Sequence, residues 1–141
     1  MIEIMDTTLR DGEQTSGVSF ATAEKMSIAR LLLEELCVDR IEIASARVSA
    51  GEYEAVKKVA RWAHENGHID KVEVLGFVDN RTSLQWIKDA GCRVINLLCK
   101  GSENHCLHQL RKQPEEHLAD RSEVHTSELQ SRSDLVCRLL L

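Results

Sequence analysis

The chain is poor in the residues that mark a membrane span or a disordered segment. Its 141 residues include one proline, seven glycines and 4% aromatic residues. No apolar run approaches the roughly 18 residues that a membrane-spanning helix needs, and the N-terminus lacks the basic and apolar segments of a secretory signal. With 43% hydrophobic and 29% charged residues, the composition indicates one soluble domain of ordinary core size. A cytoplasmic protein that binds no membrane is the default expectation.

The chain also lacks paired cysteines and clustered basic residues. The five cysteines form no CxxC pair, so we expect reduced thiols and neither a disulfide framework nor a zinc ribbon. The net charge is -5 and the basic residues are scattered, whereas a nucleic-acid-binding surface needs clustered Lys and Arg. No GxGxxG or GxxxxGK[ST] pattern occurs, so nothing supports a nucleotide-binding loop.

The chain does show a regular alternation of short β-branched runs with longer helical patterns. This alternation predicts βαβ units around a parallel sheet. Thr22 is the expected cap of the first helix. The predicted strands are Ile2 to Asp6, Arg40 to Ser45, Lys71 to Phe77 and Arg93 to Cys99, and the predicted helices run from Thr22 to about Leu36, from Gly51 or Glu52 to Asn66, and from Asn80 to Ala90.

These units predict an α/β fold. Four βα units in about 115 residues amount to half of an eight-unit barrel, which typically takes about 250 residues. An open doubly wound sheet is the competing architecture, and topology alone leaves the two almost even. Polar residues on one face of the strands, Glu42 and Glu73 among them, favour a barrel whose interior opens onto an active site. We therefore expect the N-terminal half of a TIM (β/α)8 barrel, with about four βα units.

The second predicted strand places a carboxylate among apolar residues. Side chains alternate along a strand, so Ile41 and Ile43 share one face and Glu42 lies on the other. If the isoleucines pack on helices, Glu42 points into the barrel, where a lone carboxylate is costly or becomes neutral. Arg10, at the top of the neighbouring strand, is the expected partner. The alternative is that Glu42 points to solvent as half of a surface pair.

The run DTTLRDGEQT, from Asp6 to Thr15, places Arg10 and Asp11 side by side after the first apolar run. An Arg next to an Asp on a surface usually contributes little, but this run is long. With the IEIA strand, it resembles the acetyl-CoA-dependent 2-oxo-acid condensing enzymes, which are the 2-isopropylmalate, citramalate and homocitrate synthases and relatives of the hydroxymethylglutaryl-CoA lyases. The resemblance extends from Met1 to about Asp120.

The resemblance implies an acyltransferase that joins acetyl-CoA to a 2-oxo acid by a metal-assisted Claisen-type reaction in branched-chain amino-acid biosynthesis. In this family, residues matching Arg10, Asp11 and Glu42 form the catalytic signature. Asp11 would be a ligand of a divalent metal (Mg, Mn or Zn), which polarises the ketone. Arg10 would stabilise the oxygen that becomes negative, and Glu42 would orient Arg10. Gln14, in the same loop, is a candidate substrate-binding residue.

Other parts of the family's site are missing from the sequence. The His-x-His pair that completes the metal site in these enzymes occurs nowhere in the 141 residues. The catalytic base and the remaining metal ligands are therefore absent, and the chain by itself is expected to be inactive. A full-length form is expected to be a homodimer. The rival from another class is a non-catalytic half barrel or interaction module, and the rival within the superfamily is a lyase that runs the chemistry backwards.

The third and fourth strands bear on the choice of substrate. VEVLGFVDN and VINLLCKGS most resemble the citramalate synthase branch, in which apolar side chains corresponding to Leu75 and Leu98 line the pocket for the methyl group of pyruvate. Without the resemblance, two leucines are better explained as barrel core. Pyruvate is the favoured 2-oxo acid. Because a methylene changes preference by only about 1 to 3 kcal/mol, 2-isopropylmalate and homocitrate synthase activities stay open.

The sequence changes in character after Pro114. RSEVHTSELQS, from Arg121 to Ser131, has neither helical nor strand periodicity. It resembles the conceptual translation of a common sequencing adapter, which in one frame reads RSEEHTSELQS. We therefore expect a partial catalytic domain over residues 1–120 and a non-native, adapter-derived tail over residues 121–141. The alternative is a natural linker followed by a small docking helix.

Overall fold

The computed structural model describes residues 2–100, 102–130 and 136–140, with side chains described up to residue 122. Within this part of the chain, five strands form a sheet in which every neighbouring pair is parallel and the spatial order follows the chain order. An open doubly wound sheet would reverse its order at a switch point. The strands are β1 Met5–Asp6, β2 Arg40–Ser45, β3 Val72–Phe77, β4 Val94–Leu98 and β5 Val136–Leu140.

Helices connect the successive strands, as parallel pairing requires. None of the described helices is long and apolar enough to cross a membrane. The helices are α1 Thr22–Arg30, α2 Ala50–Glu65, α3 Thr82–Asp89, α4 Glu103–His105 and α5 Pro114–Gln130, with π-helical turns at Leu31–Glu35 and Cys106–Leu110 and 3-10 turns at Gly12–Gln14 and Ile69–Lys71.

As far as β4, the predicted elements agree with these bounds to within about two residues, except at the start of the chain. β2 has the predicted bounds, but β1 is limited to Met5–Asp6. The predicted role of Thr22 as a helix cap is wrong, because Thr22 is the first helical residue and Ala21 is the N-cap. The backbone N–H of Ala21 donates to the Glu24 carboxylate at 2.7 Å. The acidic residue in the first turn thus satisfies the helix start without a polar cap.

The segment after Pro114 is helical although its sequence lacks helical periodicity from Arg121 onward. α5 runs from Pro114 through Arg121 to Gln130. Pro114 suits the first position of a helix and Glu115 complements the helix dipole. These two residues favour the start of α5 at Pro114. β5 pairs in parallel with β4, whereas Ser131 lies outside the described residues. The adapter-derived origin of residues 121–141 stays a prediction.

The two faces of the sheet differ in chemistry. One face packs against the helices in a single apolar cluster, and the opposite face carries buried polar side chains. The helix-facing cluster includes Ile41, Ile43, Val72, Val74, Ile95 and Leu97 from the strands and Ala29, Leu33, Val56, Val59 and Ile87 from the helices, whereas the buried polar residues of the strands are Glu42, Glu73 and Asn96.

A hydrogen bond across an intervening strand shows that the sheet curls around its polar face. β2 and β4 are separated by β3, and strands two apart in a flat sheet lie about 10 Å from each other. Nevertheless, Asn96 Nδ2 on β4 donates to Glu42 Oε1 on β2 at 2.9 Å, and the same nitrogen lies 4.0 Å from Met5 Sδ on β1. Side chains from alternate strands share one layer inside a TIM barrel. The described strands therefore form the N-terminal half of such a barrel.

Substitution of Gly76 tests how tightly β3 and β4 pack on the helix-facing side of the sheet. A Cβ atom on Gly76 would lie 2.5 Å from Ile95 Cδ1 and 2.9 Å from Ile95 Cγ1. We expect Gly76→Ala to lower the free energy of unfolding by about 1 to 3 kcal/mol, because overpacking displaces Ile95. Urea denaturation of the full chain measures this change.

Gly51→Ala, in the first turn of α2, is the matched control. The nearest atom to a Cβ there is Ser49 Oγ at 3.8 Å, so the substitution should be neutral or stabilising by up to about 1 kcal/mol. Adding Ile95→Val to Gly76→Ala removes the closest methyl group and should restore part of the loss. Equal effects of the two alanine substitutions would contradict the packing described here.

Candidate active site

The residues after β1 form a compact turn that brings Arg10 back over the sheet. The backbone N–H groups of Arg10, Asp11 and Gly12 all donate to the carbonyl oxygen of Thr7, at 3.0, 2.7 and 3.3 Å. Leu9 is fully buried in the apolar cluster and anchors the turn. Because this turn follows the carboxyl end of β1, it lies at the end of the barrel where active sites of this fold occur.

Arg10 pairs with two carboxylates. Its Nε donates to Glu42 Oε2 and its Nη1 donates to Asp11 Oδ1. The exposed fractions of the three side chains are 15% for Arg10, 0% for Glu42 and 50% for Asp11. Glu42 therefore points into the barrel and has the expected partner, and the solvent-facing alternative is excluded. The catalytic roles of these residues stay predictions.

The second oxygen of Glu42 is held by Asn96. Since the carboxylate can only accept, the amide must present its Nδ2 to Glu42, and this leaves Asn96 Oδ1 buried without a hydrogen-bond partner among the described residues. Sequence reasoning missed this contact of Asn96 with Glu42. The available signal was a polar residue within the apolar run VINLL, because a buried polar group requires a partner.

A cavity of about 320 Å³ opens beside Arg10. Gln14, the predicted substrate-binding residue, lines this cavity together with Arg10. A bulge between Glu42 and Ala44 places Ser45 opposite Leu75, and bulges of this kind often re-aim side chains next to active sites. The lining residues are Arg10, Glu13, Gln14, Val18, Ser19, Ala44, Ser45, Val48 and Glu52.

The two predicted pocket leucines lie on the polar face of the sheet. Leu75 is buried and lies opposite Asn96, and Leu98 is half-buried and lies opposite Phe77. Of the side chains that the structure describes, neither leucine lines the cavity beside Arg10. Their predicted contact with the methyl group of a substrate therefore stays a prediction.

The described residues fit a divalent metal only in part. Asp11 offers a half-exposed carboxylate whose Oδ1 contacts Arg10. Magnesium and zinc require further oxygen, nitrogen or sulfur ligands. Within residues 2–100, 102–122 no group of three or more His, Cys, Asp and Glu side chains is placed to hold a metal ion. The predicted ligand Asp11 therefore has no further ligands grouped around it in this part of the chain.

Sequence reasoning missed a buried lysine behind the loop. Lys25 Nζ lies 2.6 Å from Glu13 Oε2 and also pairs with Glu52 Oε1. Burial by itself would raise the pKa of the Glu13 carboxyl, but hydrogen bonds from Lys25 and from the backbone N–H of Phe20 outweigh burial and lower that pKa. The missed signal is periodicity, because Lys25 lies four residues before the buried Ala29 on the same helical stripe.

The fold and these polar clusters define a TIM-type barrel with a candidate site at the carboxyl ends of its first strands. The HMGL-like family matches residues 1–137, and the chain belongs to this family. It is 42% identical over 115 residues to the 2-isopropylmalate synthase of Pyrococcus furiosus, covering 82% of the chain and 23% of that protein. It is 52% identical over 60 residues, covering 43% of the chain and 12% of the relative, to a Methanopyrus kandleri protein named provisionally as an (R)-citramalate synthase.

Solved structures support the same fold. The HMG-CoA lyase of Bacillus subtilis superposes with a TM-score of 0.70 at 21% identity, covering 98% of the chain and 45% of the lyase. An HMG-CoA lyase from Acinetobacter baumannii, solved with coenzyme A and 3-methylmalate, gives 0.66 at 20% identity, covering 99% of the chain and 45% of the lyase. The chain spans about a quarter of the length of the curated relatives that it matches.

The contact between Asn96 and Glu42 is testable by removing the amide. We expect Asn96→Leu to lower the free energy of unfolding by about 2 to 3 kcal/mol, because a buried carboxylate loses a charge-assisted hydrogen bond. Gln85→Leu removes the same kind of bond, from Gln85 Nε2 to Asp89 Oδ1 at 2.7 Å, on the surface, and should cost less than about 0.5 kcal/mol. Urea denaturation compares the two. Similar losses for both variants would mean that Asn96 contributes no special support to Glu42.

Proposed function

We propose that this chain forms the N-terminal half of the catalytic barrel of an acyltransferase that condenses acetyl-CoA with a 2-oxo acid. The observation that carries the proposal is the pair of Arg10 with buried Glu42, beside Asp11 and a cavity. Relatives named 2-isopropylmalate synthase and citramalate synthase support it. Within the proposal, residues 1–120 are the catalytic portion and residues 121–141 are a non-native tail.

Arg10 is the proposed electrostatic catalyst. A guanidinium has five N–H donors, and Glu42 and Asp11 engage Nε and Nη1. Acetyl-CoA first loses a methyl proton to a base outside this chain's predicted catalytic residues, and its methyl carbon then bonds to the ketone carbon. The remaining donors of Arg10 stabilise the ketone oxygen, which takes up the π electrons of the C=O bond and becomes negative. Glu42, fixed by Asn96, keeps the guanidinium in one orientation, which limits the reorganisation needed during the reaction.

Asp11 is the proposed metal ligand. Its carboxylate is half-exposed next to Arg10, so it is accessible to a cation. A divalent metal there, for which Asp11 would be one ligand, would supply Lewis-acid polarisation of the ketone. Hydrolysis of the thioester product then releases coenzyme A and makes the condensation favourable. Gln14, at the cavity, is the proposed contact for the substrate carboxylate.

Pyruvate is the proposed 2-oxo acid. Leu75 and Leu98 lie on the barrel's inner face with Asn96, where branched apolar side chains leave room for a methyl group more readily than for an isopropyl group. The relatives named 2-isopropylmalate synthase support 2-oxoisovalerate as the alternative, and homocitrate synthase activity is a further alternative.

The proposal is testable in a chimera that completes the barrel. Residues 1–120 replace the matching segment of the Pyrococcus furiosus synthase, and release of coenzyme A is followed with a thiol reagent. We expect turnover with pyruvate to exceed turnover with 2-oxoisovalerate. Arg10→Met should lower kcat/KM by at least about 100-fold, because a charge that stabilises the transition state is lost. Circular dichroism of each variant checks that the barrel is folded.

Arg61→Met is the control for the chimera, because Arg61 is an exposed arginine with a carboxylate partner. It should leave kcat/KM within about twofold. Leu75→Ala with Leu98→Ala should raise the kcat/KM ratio of 2-oxoisovalerate to pyruvate by about 10- to 100-fold. A folded chimera in which Arg10→Met is as active as Arg61→Met would overturn the proposed role of Arg10. If the unsubstituted chimera prefers 2-oxoisovalerate, the assignment of pyruvate as the substrate is wrong.

A further inference from the structure

Lys25 joins three parts of the chain at one buried point. Its side chain is 2% exposed, and its ammonium group pairs with the carboxylates of Glu13 and Glu52. Glu13 belongs to the loop after β1, Lys25 to α1, and Glu52 to the first turn of α2. One cation therefore ties the loop to two helices from beneath.

The loop has little apolar packing of its own. Residues 14–19 are exposed, so burial of side chains contributes little to its order. Glu13 compensates, because its Oε2 contacts Lys25 while its Oε1 accepts from the backbone N–H of Phe20 at 2.9 Å. The Glu13 carboxylate thus closes the loop between its first turn and the start of α1, and Lys25 fixes that carboxylate.

The same ion cluster borders the cavity beside Arg10. Glu13 and Glu52 both line this cavity together with Arg10. Without a cation between them, the two carboxylates would repel each other. Loss of one member of a buried ionic cluster leaves an uncompensated charge, which is strongly unfavourable.

We propose that Lys25 is a positioning residue, which holds the loop from Asp11 to Phe20 against α2 and neutralises the two carboxylates of the cavity wall. Arg10 and Gln14 are thereby kept at the cavity. The inference rests on the proposed function only for the meaning of that cavity as a substrate site, since the order of the loop is a property of the chain without any ligand.

Amide hydrogen exchange of the full chain tests the inference. Lys25→Met should raise exchange of the amides in residues 12–20 by at least about 10-fold, while amides of β3 and β4 change by less than about threefold. Lys58→Met, at an exposed position of α2, should leave the loop unchanged. Lys25→Arg should retain most of the protection because it keeps the charge.

Removing the charges of Glu13 and Glu52 together with that of Lys25 shows whether Lys25 acts by neutralising these carboxylates or by packing. Lys25→Met combined with Glu13→Gln and Glu52→Gln should recover part of the loop's protection, since no uncompensated carboxylate is left. Should Lys25→Met not fold, Glu13→Gln, which keeps the pair of Lys25 with Glu52, must loosen the same loop. A loop that stays protected, or exchange that rises equally in the loop and the strands, overturns the inference.

The exchange measurement contains no substrate and no activity readout. Its failure would leave the proposed condensation to be judged by the chimera. Inactivity of the chimera would in turn leave the positioning role of Lys25 intact if exchange in the loop follows the expected pattern.

Discussion

Glu42 has no exposed surface, and a carboxylate at that depth requires a cation and hydrogen-bond donors. The structure meets this requirement from two directions. Arg10 reaches Glu42 from the loop after β1, and Asn96 reaches it from β4. One buried charge therefore joins β2 to the loop before it and to the strand two positions beyond it. The placement of the loop depends on the contact with Arg10, and the contact with Asn96 is made across the curled sheet.

Stability alone does not explain the buried charges inside the barrel. A second carboxylate, Glu73, lies opposite Glu42 on β3 and is paired with Arg40, whose Nη1 lies 3.3 Å from Glu73 Oε1. Buried ion pairs are often no more stabilising than apolar side chains of equal volume. A barrel core built only for stability would contain apolar layers instead. Arg40 and Glu73 lie near the amino ends of β2 and β3, whereas Arg10 and Asp11 follow the carboxyl end of β1, which is the end of the barrel where sites of this fold occur.

Local rules predicted the elements whose constraints lie close together in the chain. Alternation along β2 predicted the burial of Glu42 correctly, and the predicted end of α2 at Asn66 agrees with the structure, in which Asn66 is the C-cap and Gly67 has a φ of 75°. β1 was predicted too long, because the apolar side chains of Ile2 and Ile4 lie exposed. An apolar run in the sequence does not show which of its residues pair with a neighbouring strand. Of the predicted strand Ile2 to Asp6, only the last two residues pair with β2.

The long-range polar contacts could not be predicted from the sequence. Asn96 and Glu42 are 54 positions apart, and their contact follows from the curvature of the sheet, which is a property of all strands together. Lys25 was missed for a different reason, because a charged residue on an apolar stripe is normally assigned to its edge. The family resemblance identified Arg10, Asp11 and Glu42 as a set, whereas residue patterns alone identified only Glu42 and its expected partner.

A double-mutant cycle measures how strongly Arg10 and Glu42 are coupled. The free energies of unfolding of the full chain, Arg10→Met, Glu42→Gln and the double variant give the coupling energy. We predict more than about 2 kcal/mol for this pair, against no more than about 0.5 kcal/mol for the same cycle on Arg61 and Glu65, whose side chains are 82% and 59% exposed. Equal coupling in the two cycles would show that Arg10 and Glu42 interact no more strongly than an exposed surface pair, and would contradict a buried charge that depends on Arg10.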